Sequence, residues 1–184
     1  DSLIPVSFDS LYKSGGDIYL FHDGKTGIVT EYGSLIPAKY DQIHRFGCNS
    51  GMSFDVYYMS ILGNEYNLVS VDGEELLPDG IWDLRCTEDA IFEFRRGNHP
   101  EYYLPHLDEI VSPNGRDIIF YDDRAYKIFN EDKSRSELHL SEGSVLKDQF
   151  DDYFLLVNDY IAVRKNGKVG LTKGGLQILG DVKY

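Results

Sequence analysis

Residues 24–43 read Gly24-Lys25-Thr26-Gly27-Ile28-Val29-Thr30-Glu31-Tyr32-Gly33-Ser34-Leu35-Ile36-Pro37-Ala38-Lys39-Tyr40-Asp41-Gln42-Ile43. Short apolar runs alternate here with glycines at turn spacing, which is the pattern of strands joined by tight turns. Asp17 to His22 precedes this stretch as a further strand, with Asp23-Gly24 as the two-residue turn between them. Such a turn needs positive φ at both central positions, and Asp-Gly or Asn-Gly supplies it.

Parts of this stretch recur along the chain. Leu35-Ile36-Pro37-Ala38-Lys39-Tyr40-Asp41-Gln42-Ile43 matches Leu3-Ile4-Pro5-Val6-Ser7-Phe8-Asp9-Ser10-Leu11 at an offset of 32 residues. Leu76-Leu77-Pro78 starts a third copy, which reaches Trp82-Asp83 if one residue is inserted, and Leu104-Pro105 starts a weaker fourth. Four of the six prolines fall in this one slot. Gly24 to Gly33 is similar to Gly167-Lys168-Val169-Gly170-Leu171-Thr172-Lys173-Gly174-Gly175, and Asn67 to Pro78 is a degenerate copy. Further hairpins read as Phe54–Leu62 with Tyr66–Val71, Asp117–Tyr121 with Ala125–Phe129, and Tyr160–Lys165 turning at Asn166-Gly167.

The fold expected is all-β, built from repeated three-stranded antiparallel meanders with little helix. The chain is read as one repeat-built domain, 1–184, in units of roughly 1–34, 35–75, 76–104, 105–140 and 141–184. A proline cannot donate to a ladder, so Pro37 and Pro78 are expected at equivalent strand ends or at a sheet edge. Tyr40 and Trp82 are expected as buried anchors, and the following Asp as a cap for turn amides. Ser144 to Tyr153 is the one segment that reads as a short helix.

Composition narrows function. The 184 residues carry 18 Lys+Arg against 31 Asp+Glu, a formal net charge of -13. Nucleic acid and anionic membranes demand a basic surface, so neither is an expected partner. No apolar run approaches a membrane span. With no signal peptide visible in the sequence, the expected address is cytoplasmic, with Cys48 and Cys86 as reduced, buried thiols.

No constellation points to catalysis or to a cofactor. The five histidines, His22, His44, His99, His106 and His139, form no short metal-ligand spacing. Gly24-Lys25-Thr26-Gly27 leads into a strand rather than a helix, so it is not a phosphate loop. Adjacent Asp122-Asp123 and Asp151-Asp152 would point to opposite faces of a strand. No catalytic residue, no metal and no cofactor is therefore expected.

The repeated pattern Gly-Lys-x-Gly-apolar, then Gly, then apolar-apolar-Pro-x-x-Tyr-Asp-x-Ile resembles the bacterial WG-repeat family. The match is best over Gly24 to Ile43, then over Gly167 to Tyr184. The family's Trp before Gly is replaced by Thr26 and Val169. The resemblance implies a β-repeat binding module, and such proteins occur among immunity proteins encoded beside contact-dependent or polymorphic toxins.

Acidity is concentrated in the middle of the chain. Between Asp72 and Glu93 stand eight acids and one base, Arg85. The face expected to bind a basic protein partner comprises Asp72, Glu74, Glu75, Asp79, Asp83, Glu88, Asp89 and Glu93, helped by Asp122 and Asp123, with Tyr102 and Tyr103 as aromatic anchors. Solubility alone also accounts for such charge. The function expected first is a non-enzymatic immunity protein that neutralises a basic nuclease toxin domain. A general ligand-binding or cell-surface β-repeat module is the alternative, and a carbohydrate-active enzyme is third.

Overall fold

The computed structural model describes residues 8–47, 56–87, 91–122, 125–140, 144–146, 150–155, 160–173 and 177–181. Within them the structure is all-β, in antiparallel sheets of three or four strands laid down in sequence order. The chain divides into two compact units, Asp1–Glu88 with Phe92–Asn98, and Asp89–Ile91 with His99–Tyr184.

The first unit holds two sheets and a hairpin. Strands β1 (Ser10–Ser14), β2 (Asp17–His22), β3 (Lys25–Val29) and β4 (Leu35–Tyr40) make one meander, and β5 (Gln42–Phe46), β6 (Tyr57–Leu62) and β7 (Glu65–Val69) make the next. Strands β8 (Asp83–Cys86) and β9 (Phe92–Arg95) pair as a hairpin. Ile28, Ile36, Tyr40, Ile43, Tyr58 and Val69 form a shared core for the two sheets. Burying each such side chain contributes about 1.5–3 kcal/mol.

In the second unit β10 (Glu101–Leu104) pairs with β11 (Glu109–Val111). A four-stranded meander follows in β12 (Ile118–Asp122), β13 (Ala125–Phe129), β14 (Ser136–Leu140) and β15 (Val145–Leu146). Another comprises β16 (Asp152–Leu155), β17 (Tyr160–Lys165), β18 (Lys168–Lys173) and β19 (Gln177–Asp181). One core gathers Ile91, Leu104, Val111, Tyr126 and Ile128, and another Leu138, Leu146, Tyr153, Ile161 and Val163.

The proline element supplies a fourth strand, β4, to the first sheet. Pro37 lies inside β4 rather than at its end, and it is tolerated because β4 is an edge strand with a register shift opposite Gly27. A Cβ on Gly27 would stand 2.6 Å from Ala38 N and Ile36 O, so only glycine admits this approach. The next sheet has Asn67 two residues before Val69, where Gly27 stands two before Val29. Its amide side chain takes the Leu77 backbone instead, donating to the carbonyl at 3.1 Å and accepting from the N–H at 3.2 Å. Pro78 lies outside any strand, whereas Pro37 lies within β4.

Other expectations change as well. The segment read as a helix holds strand residues 145–146 and 152–153 instead. Cys86 is disulfide-bonded rather than reduced, and Cys48 lies outside the described residues. Tyr40 is buried at 2% exposure, but Trp82 is 55% exposed.

Candidate protein-binding face

Main-chain bonds explain the position of Trp82. The N–H of Asp9, Asp41 and Asp151 each donates across a hairpin to a carbonyl, of Phe21, Ile61 and Arg164 respectively. The Trp82 N–H does the same to Arg95 O at 3.0 Å. Trp82 therefore occupies the aspartate slot, and buried Ile81 occupies the aromatic slot that Tyr40 fills in the first sheet. The inserted residue assumed in the sequence comparison shifts this element by one place and reverses which side chain points inward.

The aspartates at this slot have a structural task. Asp9 accepts from Asp23 N at 2.8 Å, Asp41 from Gly63 N at 2.7 Å and Asp151 from Asn166 N at 2.6 Å. Each caps the first residue of the following hairpin loop. In the third copy a tryptophan replaces the cap, and its ring goes to solvent. A local rule broken at one copy, with a large aromatic exposed, makes Trp82 a candidate functional position.

Leu62, 51% exposed, pairs across its hairpin with Glu65. Glu65 accepts the Gly80 N–H at 3.2 Å, and Tyr66 N–H donates to Ile81 O at 2.8 Å. These bonds bring the Leu62–Glu65 turn beside Asp79, Gly80 and Trp82. Glu65 and Asp79 are both exposed.

The acidic turn Ser70–Glu75 is built as a copy of Thr30–Ser34. Ser70 N–H donates to Glu74 O and Gly73 N–H to Ser70 O, as Thr30 does to Ser34 and Gly33 to Thr30. The glycine φ values are 87° and 88°. The Ser70 hydroxyl accepts from Asp72 N and Glu74 N, which leaves both acidic side chains outward and exposed. Asp72 also accepts the Ser34 hydroxyl at 3.1 Å.

The remaining acids of the expected face are less available. Glu75 accepts Lys39 Nζ and Tyr40 OH, each at 2.7 Å. The Lys39 ammonium and then the Tyr40 hydroxyl hold its carboxyl below the usual range, while burial, and then the bond to Glu75, pushes the Tyr40 phenol up to about 12. Glu93 is buried at 8% exposure and bonded to Arg85, with Arg95 at 4.0 Å, so its charge is neutralised within the hairpin. Asp83 is half-buried, 3.9 Å from Arg95. Glu88, Asp89 and Asp123 lie outside the described residues, and Asp122 ends β12.

Neither tyrosine stands as an exposed anchor. Tyr103, in the second unit, is buried and donates its hydroxyl to Asp108 at 3.1 Å. Tyr102 packs edge-on against Phe120 at 4.9 Å. The structure leaves Asp72 and Glu74 exposed on the turn after β7, and at the other end of that strand it sets exposed Asp79 beside Glu65 and Leu62, which the sequence comparison passed over, and Trp82, which was expected to be buried. The signal for Trp82 was available, because without a gap Leu76-Leu77-Pro78-Asp79-Gly80-Ile81 matches Leu35 to Tyr40.

No helix among the described residues is long and apolar enough to cross a membrane. No family model and no curated protein matches the chain. A solved structure titled as that of a streptogramin B lyase is similar over 95% of this chain and 68% of that one, at 15% identity and a TM-score of 0.29. A likeness of that size carries no argument about activity.

Proposed function

We propose that the chain is a non-enzymatic protein-binding module whose partner is a basic protein, with neutralisation of a nuclease toxin domain as its task. The supporting observation is Trp82, an exposed aromatic that has displaced a capping aspartate beside exposed acids. Interface energy concentrates in a few aromatic anchors, and surrounding charge chiefly sets the association rate. A nuclease is basic where it grips phosphates, and exposed Glu65 and Asp79 beside the Trp82 ring complement that groove.

The partner to test is a toxin domain encoded beside this chain's reading frame, followed by surface interferometry. Trp82→Ala is expected to weaken binding by about 2 kcal/mol, mostly through faster dissociation. Joint reversal of Asp72, Glu74 and Asp79 to Lys is expected to slow association, more at low salt than at high. Unchanged kinetics in both folded variants would remove this face from the proposal.

The disulfide at Cys86 favours a second reading, a cell-surface β-repeat module, because structural disulfides persist in oxidising compartments. That address would replace the cytoplasmic one. Thiol titration of the denatured protein, isolated without reductant, separates the two: two reactive thiols favour the cytoplasm, and none favours the surface.

A further inference from the structure

We propose that Asp9, His22 and Asp23 form a binding site for a divalent transition-metal ion of zinc-like character. The three groups come from two places in the first unit. Asp9 lies just ahead of β1, with its N–H bonded to Phe21 O at 2.8 Å. His22 ends β2, and Asp23 opens the hairpin loop at φ 50°.

The pairing of β1 with β2 brings them together. Asp23 N–H donates to Asp9 Oδ2 at 2.8 Å, which pins that carboxylate over the loop. His22 Nε2 stands 3.4 Å from Asp23 Oδ2. One ligand atom from each of the three residues lies within 4.8 Å of the others. Nδ1 of His22 is buried and bonded to no described residue, and the Phe8 ring meets the imidazole edge-on at 6.4 Å.

Turn formation does not account for this set. The corresponding caps Asp41 and Asp151 face Gly63 and Asn166, with Leu62 and Lys165 as the strand ends. The cap is common to the copies, whereas the histidine and the second carboxylate belong to the first alone. Their charge is also unbalanced. Lys25, cross-strand partner of His22, is turned to Asp41 at 2.6 Å. Among the described residues no lysine or arginine reaches Asp9 or Asp23. Two carboxylates held this close favour a bound cation.

One imidazole with two carboxylates is a donor set for zinc and its neighbours, whereas calcium and magnesium prefer oxygen alone. Metal–ligand distances near 2.0–2.2 Å would draw the three ligand atoms inward from their spacing of up to 4.8 Å. Solvent completes the coordination.

Calorimetric titration of the metal-free full chain with zinc chloride tests the site. One binding event is expected, with a dissociation constant under ~100 µM. His22→Ala and Asp23→Asn are each expected to weaken it tenfold or more, while His139→Ala leaves it unchanged. Melting curves confirm that the variants fold, and Asp23, whose side chain is 86% exposed, provides the variant least able to disturb folding. Absence of zinc binding, parental affinity in the folded variants, or equally tight calcium binding would each overturn the proposal.

Discussion

Two buried aspartates perform the same task in the two units with opposite chemistry. In the first unit Asp17, on β2, is 1% exposed and accepts Tyr58 OH from β6 at 3.0 Å and Glu31 N at 2.9 Å. In the second, Asp152, on β16, accepts Lys127 Nζ from β13 at 3.0 Å and the Ser136 hydroxyl from β14 at 2.8 Å. Tyr153 N and Arg164 complete the Asp152 set. Each carboxylate ties one meander to its neighbour. One tie uses a neutral phenol and an amide; the other uses a lysine that is itself buried, 3.0 Å from the carboxylate and stacked over Phe129 and Phe154 at 4.7 and 4.6 Å. A neutral tie leaves the charge of the aspartate in place when broken, whereas a cationic tie leaves a new imbalance.

The largest effect expected from this contrast is on Lys127. Lys127→Met removes one partner of a buried pair and is expected to destabilise the second unit by about 3–5 kcal/mol, read by chemical denaturation. The loss should depend on pH. Burial alone would raise the Asp152 carboxyl, but the bonds from Lys127, Ser136 and the Tyr153 amide hold it below its ordinary value of 3.8. A depressed carboxyl stabilises the fold above its unfolded value and loses that contribution as pH falls through the folded value. The parent and Lys127→Met should therefore differ fully near neutrality and converge below about pH 4. A gap that stays constant throughout the acid range in which both proteins remain folded would break the contrast.

Tyr58→Phe is expected to cost less, about 1–2 kcal/mol, because it removes one neutral donor and leaves the Glu31 amide on Asp17. A loss as large as that of Lys127→Met would show that both ties work alike. The smallest effect belongs to Trp82→Asp, which restores the cap used by the other copies. Stability should stay within ~0.5 kcal/mol of the parent or rise, while partner binding falls. A marked loss of stability would make Trp82 a packing residue.

Much of this architecture was legible in the chain. Asp17–His22, Ala125–Phe129, Tyr160–Lys165 and Lys168–Lys173 are strands at the residues read from alternation and turn chemistry. Those hairpins are local, so turn type and period suffice. What escaped depended on distant partners. The buried ties at Asp17 and Asp152 join residues 41 and 25 positions apart, and no short-range pattern announces them. Trp82 was misplaced because one assumed insertion changes parity, and parity decides between core and solvent. The candidate face was half legible: charge density marked Asp72, Glu74 and Asp79, but density cannot tell a free acid from Glu93 bonded to Arg85.

The sequential order of strands has a consequence for how the molecule is made. In the first sheet each strand hydrogen-bonds only to strands adjacent in the chain, from β1 through β4. A ribosome releasing the chain from its N-terminus has supplied every partner of that sheet once Tyr40 has emerged. The sheet can close while the next is still being translated, so each loop closed is short and its entropic penalty small. Vectorial synthesis thus suits this topology, one meander at a time, with few unpaired edges waiting on distant sequence.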